Sequence, residues 1–134
     1  MPMRNDQVVT VRRTDYRPPA FLLDRVELEF DLDPASTRVA STLTVRRNDA
    51  LPADAGPLVL DGEDLELETV EVDGTELTRS GYELIGGALR IPAPSDRFTV
   101  RIVNRICPQA NSELMGLFVS NGNFFSQCEA EGFR

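Results

Sequence analysis

The sequence predicts an all-β domain: an antiparallel β-sandwich or a saddle-shaped pair of sheets, with no substantial helix. Short runs in which apolar and polar residues alternate recur along the chain, as in strands that bury one face. Turn signals rich in Gly, Pro, Asn and Asp separate these runs every roughly ten residues. No stretch of any length has the helical period, and 134 residues suit one domain.

The first two strands are expected to form a hairpin. Residues 26–33 alternate strictly between apolar and acidic side chains, Pro34 ends this run, and a second alternating run covers 39–46. The short polar link Pro34-Ala35-Ser36 fits an antiparallel connection. Carboxylates on the outer face of the first strand would then face Arg38 and Arg46 on the second. The alternating residues expected on the inner face are Val26, Leu28, Phe30, Leu32, Val39, Ser41, Leu43 and Val45.

Two strands are predicted in the middle of the chain, at 58–60 and 65–72, each closed by an Asp-Gly turn. In the second strand the apolar residues move from odd to even positions near Thr69. This slip of phase predicts a bulge or bend that redirects the strand from one sheet to another. We interpret Asp61-Gly62-Glu63-Asp64 as a turn, because it lacks the spacing of an EF-hand calcium loop.

The second half of the chain continues the series of short strands. Asn121-Gly122-Asn123 is a strong hairpin signal between two short apolar runs. In the predicted strand 98–106, a core stripe is formed by Phe98, Val100, Ile102 and Ile106. The predicted strands are 82–84, 88–91, 98–106, 116–120 and 124–129.

Charge and composition exclude several classes of protein. The net charge of −8 repels phosphate backbones, so we expect no nucleic-acid partner. No apolar run is long enough to span a bilayer, and the N-terminus lacks the apolar stretch of a signal peptide. We therefore expect no membrane partner and a cytoplasmic location. Residues 1–20 end in Pro18-Pro19 and are expected to form an extended leader along the surface.

The absence of histidine limits the chemistry of the chain. It excludes Ser-His-Asp and Cys-His catalytic arrangements and the histidine ligands of a typical catalytic zinc site. Cys107 and Cys128 do not have the spacing of a zinc motif. In the absence of a secretory signal, two thiols are more often buried and reduced than bridged, although a disulfide stays open as the alternative.

The octapeptide 127–134, Gln-Cys-Glu-Ala-Glu-Gly-Phe-Arg, alternates polar and small residues. In an extended strand, Gln127, Glu129 and Glu131 would point to one side and offer hydrogen-bond acceptors, while the small residues would permit close packing on the other. A solvated surface strand has the same pattern, so the alternation alone assigns no function.

The octapeptide resembles the corresponding segment of the bacterial aminopeptidase N family. Four further segments are similar to the family's N-terminal domain, while Phe118 and Ser126 replace an expected Tyr and Thr. Together they extend the resemblance over essentially the whole chain. These segments are Asp15-Tyr16-Arg17-Pro18, Phe30-Asp31-Leu32-Asp33, Leu60-Asp61-Gly62-Glu63-Asp64-Leu65 and Leu114-Met115-Gly116-Leu117.

This resemblance implies that the chain is the N-terminal β domain, 1–134, of a zinc aminopeptidase that removes N-terminal amino acids from peptides. The family's His-Glu-x-x-His zinc motif and Gly-x-Met-Glu-Asn motif do not occur in the sequence. The resemblance therefore implies no catalytic residue and no metal ligand in this chain. It implies zinc in a catalytic domain outside the chain and no activity for the fragment alone.

The same resemblance implies that Gln127 and Glu129 bind the free α-amine of the peptide substrate. Three roles stay open for Glu131: amine binding, an ion pair with Arg134, or a contact with the catalytic domain. Cys128 is expected to be a packed thiol. The expected partners are the peptide N-terminus and the catalytic domain, and the aromatic residues Phe124, Phe125 and Phe133 predict an apolar patch through which the fragment could self-associate. The alternative is a freestanding β-sandwich module that binds a protein or carbohydrate.

Overall fold

A computed structural model describes residues 10–52 and 56–129 of the chain. The described residues form three sheets in which every pairing is antiparallel, which confirms the predicted all-β class. The strands are β1 (Phe21–Asp31), β2 (Thr37–Arg47), β3 (Leu58–Asp61), β4 (Glu66–Val72), β5 (Thr75–Glu76), β6 (Glu83–Ile85), β7 (Ala88–Ile91), β8 (Arg97–Ile106), β9 (Gly116–Ser120) and β10 (Asn123–Gln127). Short 3-10 turns occur at Arg13–Asp15, Arg79–Gly81 and Pro108–Ala110.

The largest sheet has five strands in the order β1-β2-β8-β4-β5, and a three-stranded sheet has the order β3-β7-β6. The third sheet is the hairpin β9-β10. Where the structure is described, no helix has the length and apolar character needed to cross a bilayer.

The β1-β2 hairpin is confirmed, and its turn is held by side chains. Asp33 Oδ1 accepts hydrogen bonds from the backbone N–H groups of Ala35 and Ser36, at 2.9 and 3.0 Å. The hydroxyl of the buried Thr37 donates to the carbonyl of Asp33 and accepts from its N–H. These bonds satisfy the polar groups of a tight turn and fix the register of the two strands behind it.

The hydrophobic core lies between the five-stranded and the three-stranded sheets. β2 and β8 contribute residues at alternate positions, as their period of two predicts, and Phe21 meets Phe98 edge-on at 5.8 Å between ring centroids. Leu58, Leu89 and Ile91 close the core from the smaller sheet. The buried cluster comprises Phe21, Leu43, Val45, Leu58, Val70, Val72, Leu89, Ile91, Phe98, Val100 and Ile102.

The bulge predicted near Thr69 is confirmed, because the register of β4 against β8 shifts between Leu67 and Thr69. The predicted change of sheet is wrong. β4 pairs with β8 on both sides of the bulge, so the extra residue, Glu68, changes which side chains face the core without moving the strand to another sheet.

A second bulge places Asp24 outside the regular register of β1 with β2. Each bulged carboxylate binds an arginine of the neighbouring strand: Asp24 accepts from Arg46 Nε at 2.7 Å, and Glu68 accepts from Arg105 Nε at 2.6 Å. The hydrogen bond with Asp24 raises the pKa of Arg46 above its ordinary value. Arg38 lies opposite Asp31, as predicted, whereas Arg46 binds the bulged Asp24, which precedes the acidic run expected to face it.

The inner face of β1 is less buried than its pattern predicts. Val26, Leu28 and Phe30, hereafter the β1 apolar stripe, are 50%, 49% and 37% exposed, and Leu32 beyond them is 52% exposed. The stripe lies on the same face as the core, but β1 is the outermost strand of its sheet. The alternating pattern therefore predicts correctly which face of β1 is apolar. Among the described residues, however, no element covers that face.

The chain before β1 is exposed from residue 10 to residue 19, and it includes the 3-10 turn Arg13–Asp15. Residues 1–9 of the expected leader lie outside the described residues. The segment joins the sheet through Asn48, whose Nδ2 donates to the carbonyl of Pro19 at 3.0 Å and whose backbone N–H donates to the carbonyl of Ala20 at 2.9 Å.

Truncation of Ile91 tests the contact between the two sheets. Ile91 is 0% exposed and Ile91→Ala should lower the free energy of unfolding by about 2–5 kcal/mol, because it removes buried methyl groups and leaves a cavity. Leu84→Ala, on the exposed strand β6 of the same sheet, should change it by less than about 1 kcal/mol. Urea denaturation measures the free energy of unfolding of both variants. Equal losses would contradict a core that lies between the two sheets.

Candidate functional site

The candidate site lies at the open end of the β9-β10 hairpin. Asn121 and Gly122 form its turn with φ angles of 51° and 79°, the left-handed conformation that an Asn-Gly hairpin turn requires. The hairpin predicted from the sequence is therefore confirmed. Its last pair places Gln127 opposite Gly116, so no side chain stands across the strand from Gln127.

The predicted strand over 127–129 is wrong beyond its first residue, because β10 ends at Gln127 and Glu129 lies in a bend. The backbone N–H of Glu129 donates to Gln127 Oε1 at 2.8 Å. This local bond supplies the N–H with an acceptor outside the strand ladder and curls the chain. The two proposed site residues are brought together by a turn and not by their spacing along one face.

Both side chains are accessible in this chain. Gln127 and Glu129 are exposed, and no cation among the described residues forms an ion pair with the Glu129 carboxylate. Gln127 Oε1 retains a second lone pair beside the one that Glu129 uses. The arrangement therefore offers hydrogen-bond acceptors, one of them charged, to a donor that approaches the end of the hairpin.

An aromatic pair lies next to Gln127 on the same face of the hairpin. Phe125 and Phe118 are directly opposite each other across the two strands, and their rings stack with centroids 5.7 Å apart and planes at 19°. Phe125 is 48% exposed, and Phe124 is half-buried. Of the three residues predicted to form an exposed aromatic surface, Phe125 is exposed, Phe124 is half-buried and Phe133 lies outside the described residues.

Asn111 positions the strand opposite Gln127, and no motif in the sequence indicated it. Its side-chain Nδ2 donates to the carbonyls of Met115 and Leu117, at 2.7 and 2.9 Å, and so holds the chain where β9 begins. The preceding 3-10 turn packs against β9 and is fixed to the β1-β2 turn by a 2.9 Å bond from the N–H of Gln109 to the carbonyl of Pro34. The sequence feature that could have indicated Asn111 is its position shortly after a Pro-containing turn, where Asn side chains often bind nearby backbone groups.

The expectation of buried thiols is wrong for the described residues, since Cys107 and Cys128 are both free and exposed. Cys128 follows the end of β10, where no described residue covers it, and Cys107 precedes the 3-10 turn at Pro108. Ala130 to Arg134, including Glu131, lie outside the described residues.

The described residues do not fit a zinc site. The chain has no histidine, and in the described ranges no three Cys, Asp or Glu side chains are grouped closely enough to hold a metal ion. Asp61 ends β3, and the residues after it form the turn before β4.

No protein-family model matches the chain. It is 42% identical over 132 residues to aminopeptidase N of Caulobacter vibrioides, which covers 98% of this chain and 15% of that protein. It is also 42% identical over 122 residues to aminopeptidase N of Escherichia coli, covering 91% of this chain and 13% of that protein. The chain therefore spans less than a sixth of the length of these curated relatives.

A solved structure agrees with these sequence relatives. Aminopeptidase A of Legionella pneumophila, in complex with aspartic acid, matches 89% of this chain with a TM-score of 0.79 and 28% sequence identity. The match covers 14% of that protein chain. Sequence and structure thus both relate this chain to a small part of much longer aminopeptidases.

Removing the Asn111 side chain should loosen the hairpin. Asn111→Ala deletes two hydrogen bonds, which contribute about 1–3 kcal/mol together, and should accelerate hydrogen exchange at the amides of β9 and β10. Gln109→Ala is the matched control, because its exposed side chain makes none of these bonds while its backbone bond to Pro34 is retained. Equal exchange in the two variants would contradict the positioning role of Asn111.

Proposed function

We propose, because this chain is homologous to part of the bacterial aminopeptidase N family, that it is the N-terminal β domain of a zinc-dependent aminopeptidase. The longer enzyme would remove N-terminal amino acids from peptides in the cytoplasm. This chain would supply part of the substrate site and none of the metal ligands. The observation that carries the proposal is the 42% identity over nearly the whole chain.

The role we assign to Gln127 and Glu129 is recognition of the substrate's free α-amine. An α-amine has a pKa of about 8 and is largely cationic at neutral pH, with three donors and no acceptor. A carboxylate offers charge and acceptors, and an amide oxygen accepts a further bond without adding charge. The exposed carboxylate of Glu129 and the free lone pair of Gln127 Oε1 match these requirements.

The turn between the two residues supports this assignment. The 2.8 Å bond from the N–H of Glu129 to Gln127 Oε1 holds the amide against the backbone of the residue that carries the carboxylate. Because this bond orients the amide before substrate arrives, less side-chain entropy is lost on binding. The neighbouring stack of Phe118 and Phe125 provides an apolar surface that would lower the local dielectric once it is covered and so strengthen the charge-assisted bonds.

Such an amine site accounts for selection of peptide ends. A substrate with a blocked N-terminus would leave the Glu129 carboxylate desolvated and unpaired, which is a mismatch that gives strong discrimination. The Legionella aminopeptidase, described as a complex with aspartic acid, is a relative associated with a ligand that carries a free α-amine. The residues of this chain orient and select the substrate, and the bond cleavage belongs to the rest of the enzyme.

The amine role is tested by substitution in the longer enzyme. Glu129→Ala should lower kcat/KM on free-amine substrates by roughly ten- to a hundredfold, the effect of losing one charge-assisted hydrogen bond, while zinc content stays unchanged. Gln127→Ala should lower kcat/KM less, because the hydrogen bond that it removes has an uncharged acceptor. Glu83→Ala, an exposed carboxylate on β6, is the control and should leave the rate unchanged. Loss of zinc, or an unaffected rate in Glu129→Ala, would contradict the assignment.

The coding frame separates this proposal from a freestanding binding module. A frame that continues past Arg134 into a His-Glu-x-x-His motif supports the domain of an aminopeptidase. A natural stop codon after Arg134 would contradict it and favour the freestanding module.

A further inference from the structure

The turn of the β9-β10 hairpin places an exposed asparagine directly before a glycine. Asn121 and Gly122 are both exposed, and a Cβ at Gly122 would meet no atom within 4 Å beyond its chain neighbours. In an Asn-Gly sequence the glycine nitrogen can attack the side-chain amide of the asparagine, because glycine has no Cβ to hinder the approach and rotates freely. The turn therefore contains both groups that spontaneous deamidation requires.

Both reacting groups of this turn are free of hydrogen bonds. Among the described residues, no group bonds to the side-chain amide of Asn121, and the N–H of Gly122 has no acceptor. Only the backbone carbonyl of Asn121 is engaged, by Asn123 Nδ2 at 3.4 Å. The side chains of Asn48 and Asn111, in contrast, each form two hydrogen bonds.

The two Asp-Gly turns of the chain, which could form the same ring, are held by the fold. In the turn after β3, the N–H of Gly62 donates to the carbonyl of Gly87 at 2.9 Å. In the turn after β4, Asp73 Oδ1 accepts from the N–H of Thr99, also at 2.9 Å. Each of these turns therefore has one of its two reacting groups occupied, unlike the turn of the β9-β10 hairpin.

The reaction at this turn needs only water and solvent base. The N–H of Gly122 loses its proton to solvent, its nitrogen bonds to Cγ of Asn121, and the bond from Cγ to Nδ2 breaks, so that ammonia leaves with a proton from solvent. Water then opens the five-membered imide. Breaking the new bond to Cγ gives aspartate at 121, whereas breaking the original peptide bond gives isoaspartate. Ring closure waits for a local opening of the turn, which exposed residues with few contacts undergo readily.

The β9-β10 hairpin depends on the geometry of this turn. The hairpin is a sheet of two strands, and such a sheet is only marginally stable by itself. Its short loop matches the twist of the strands because Asn121 and Gly122 both have positive φ. Aspartate tolerates that conformation, whereas isoaspartate adds the side-chain methylene to the main chain and lengthens the loop. Strand pairing should then fail from Asn123 opposite Ser120 onward.

We propose that Asn121 is a site of spontaneous deamidation and that its isoaspartyl product opens the β9-β10 hairpin. The modification adds a negative charge at one end of the hairpin, and Gln127 lies at the other end. The proposal depends neither on the peptidase function nor on any residue outside the chain, because both reacting groups belong to the turn itself.

Incubation of the folded chain at mildly alkaline pH tests the modification. Asn121 should deamidate at least about tenfold faster than Asn123, which lies in the same hairpin but precedes the bulky Phe124. Peptide mapping by mass spectrometry measures both rates, and electron-transfer fragmentation distinguishes isoaspartate from aspartate. Similar rates at the two asparagines would overturn the proposal.

Amide hydrogen exchange tests the effect on the hairpin. The purified isoaspartyl form should exchange the amides of β9 and β10 at least about tenfold faster than Asn121→Asp, which carries the same charge on an ordinary backbone. Asn121→Asp itself should exchange like the unmodified chain, and the amides of β2 and β8 serve as the internal reference. Equal exchange in the isoaspartyl form and in Asn121→Asp would overturn the proposal. These outcomes do not depend on peptidase activity, so an unaffected rate in Glu129→Ala would leave them unchanged.

Discussion

The pairing of β2 with β8 is the constraint on which the rest of the structure depends. It extends without interruption over all ten residues of β8, from Thr37 opposite Ile106 to Arg46 opposite Arg97. A slip of one residue would turn every core side chain of a strand toward solvent. The irregularities lie on the outer strands, where the bulges at Asp24 and Glu68 fit β1 and β4 to this central pair and each is held by an arginine from it.

Local patterns predicted local structure well. Alternation and turn chemistry identified the β1-β2 and β9-β10 hairpins and the bulge in β4, because each depends on residues close together in the sequence. The insertion of β8 between β2 and β4 was not predicted, since no nearby residue specifies a pairing over that separation. Alternation also predicted which face of β1 is apolar, but coverage of a face depends on elements elsewhere, and so the exposure of Leu28 was missed.

In the candidate site, too, the sequence predicted local structure but not the features that depend on distant parts of the chain. The hairpin that carries it follows from Asn121-Gly122, whereas the roles of Gln127 and Glu129 came from a family resemblance, because an exposed carboxylate has no distinctive pattern of its own. The end of β10 was misjudged since an amide side chain competes with the strand for a backbone N–H. Asn111 was missed because its two acceptors are defined only once the chain has folded back on itself.

The tight turn between β1 and β2 also bears on protein synthesis. Only a few residues separate the two strands, so the hairpin can form within microseconds of leaving the ribosome, whereas β8 begins only at Arg97 and must still be translated. A two-stranded ribbon alone is only marginally stable in water, so stable pairing waits for β8. Until then, the carboxylates of Glu27, Glu29 and Asp31 would bring like charges together if the β1 edges of two nascent chains paired, which opposes their association.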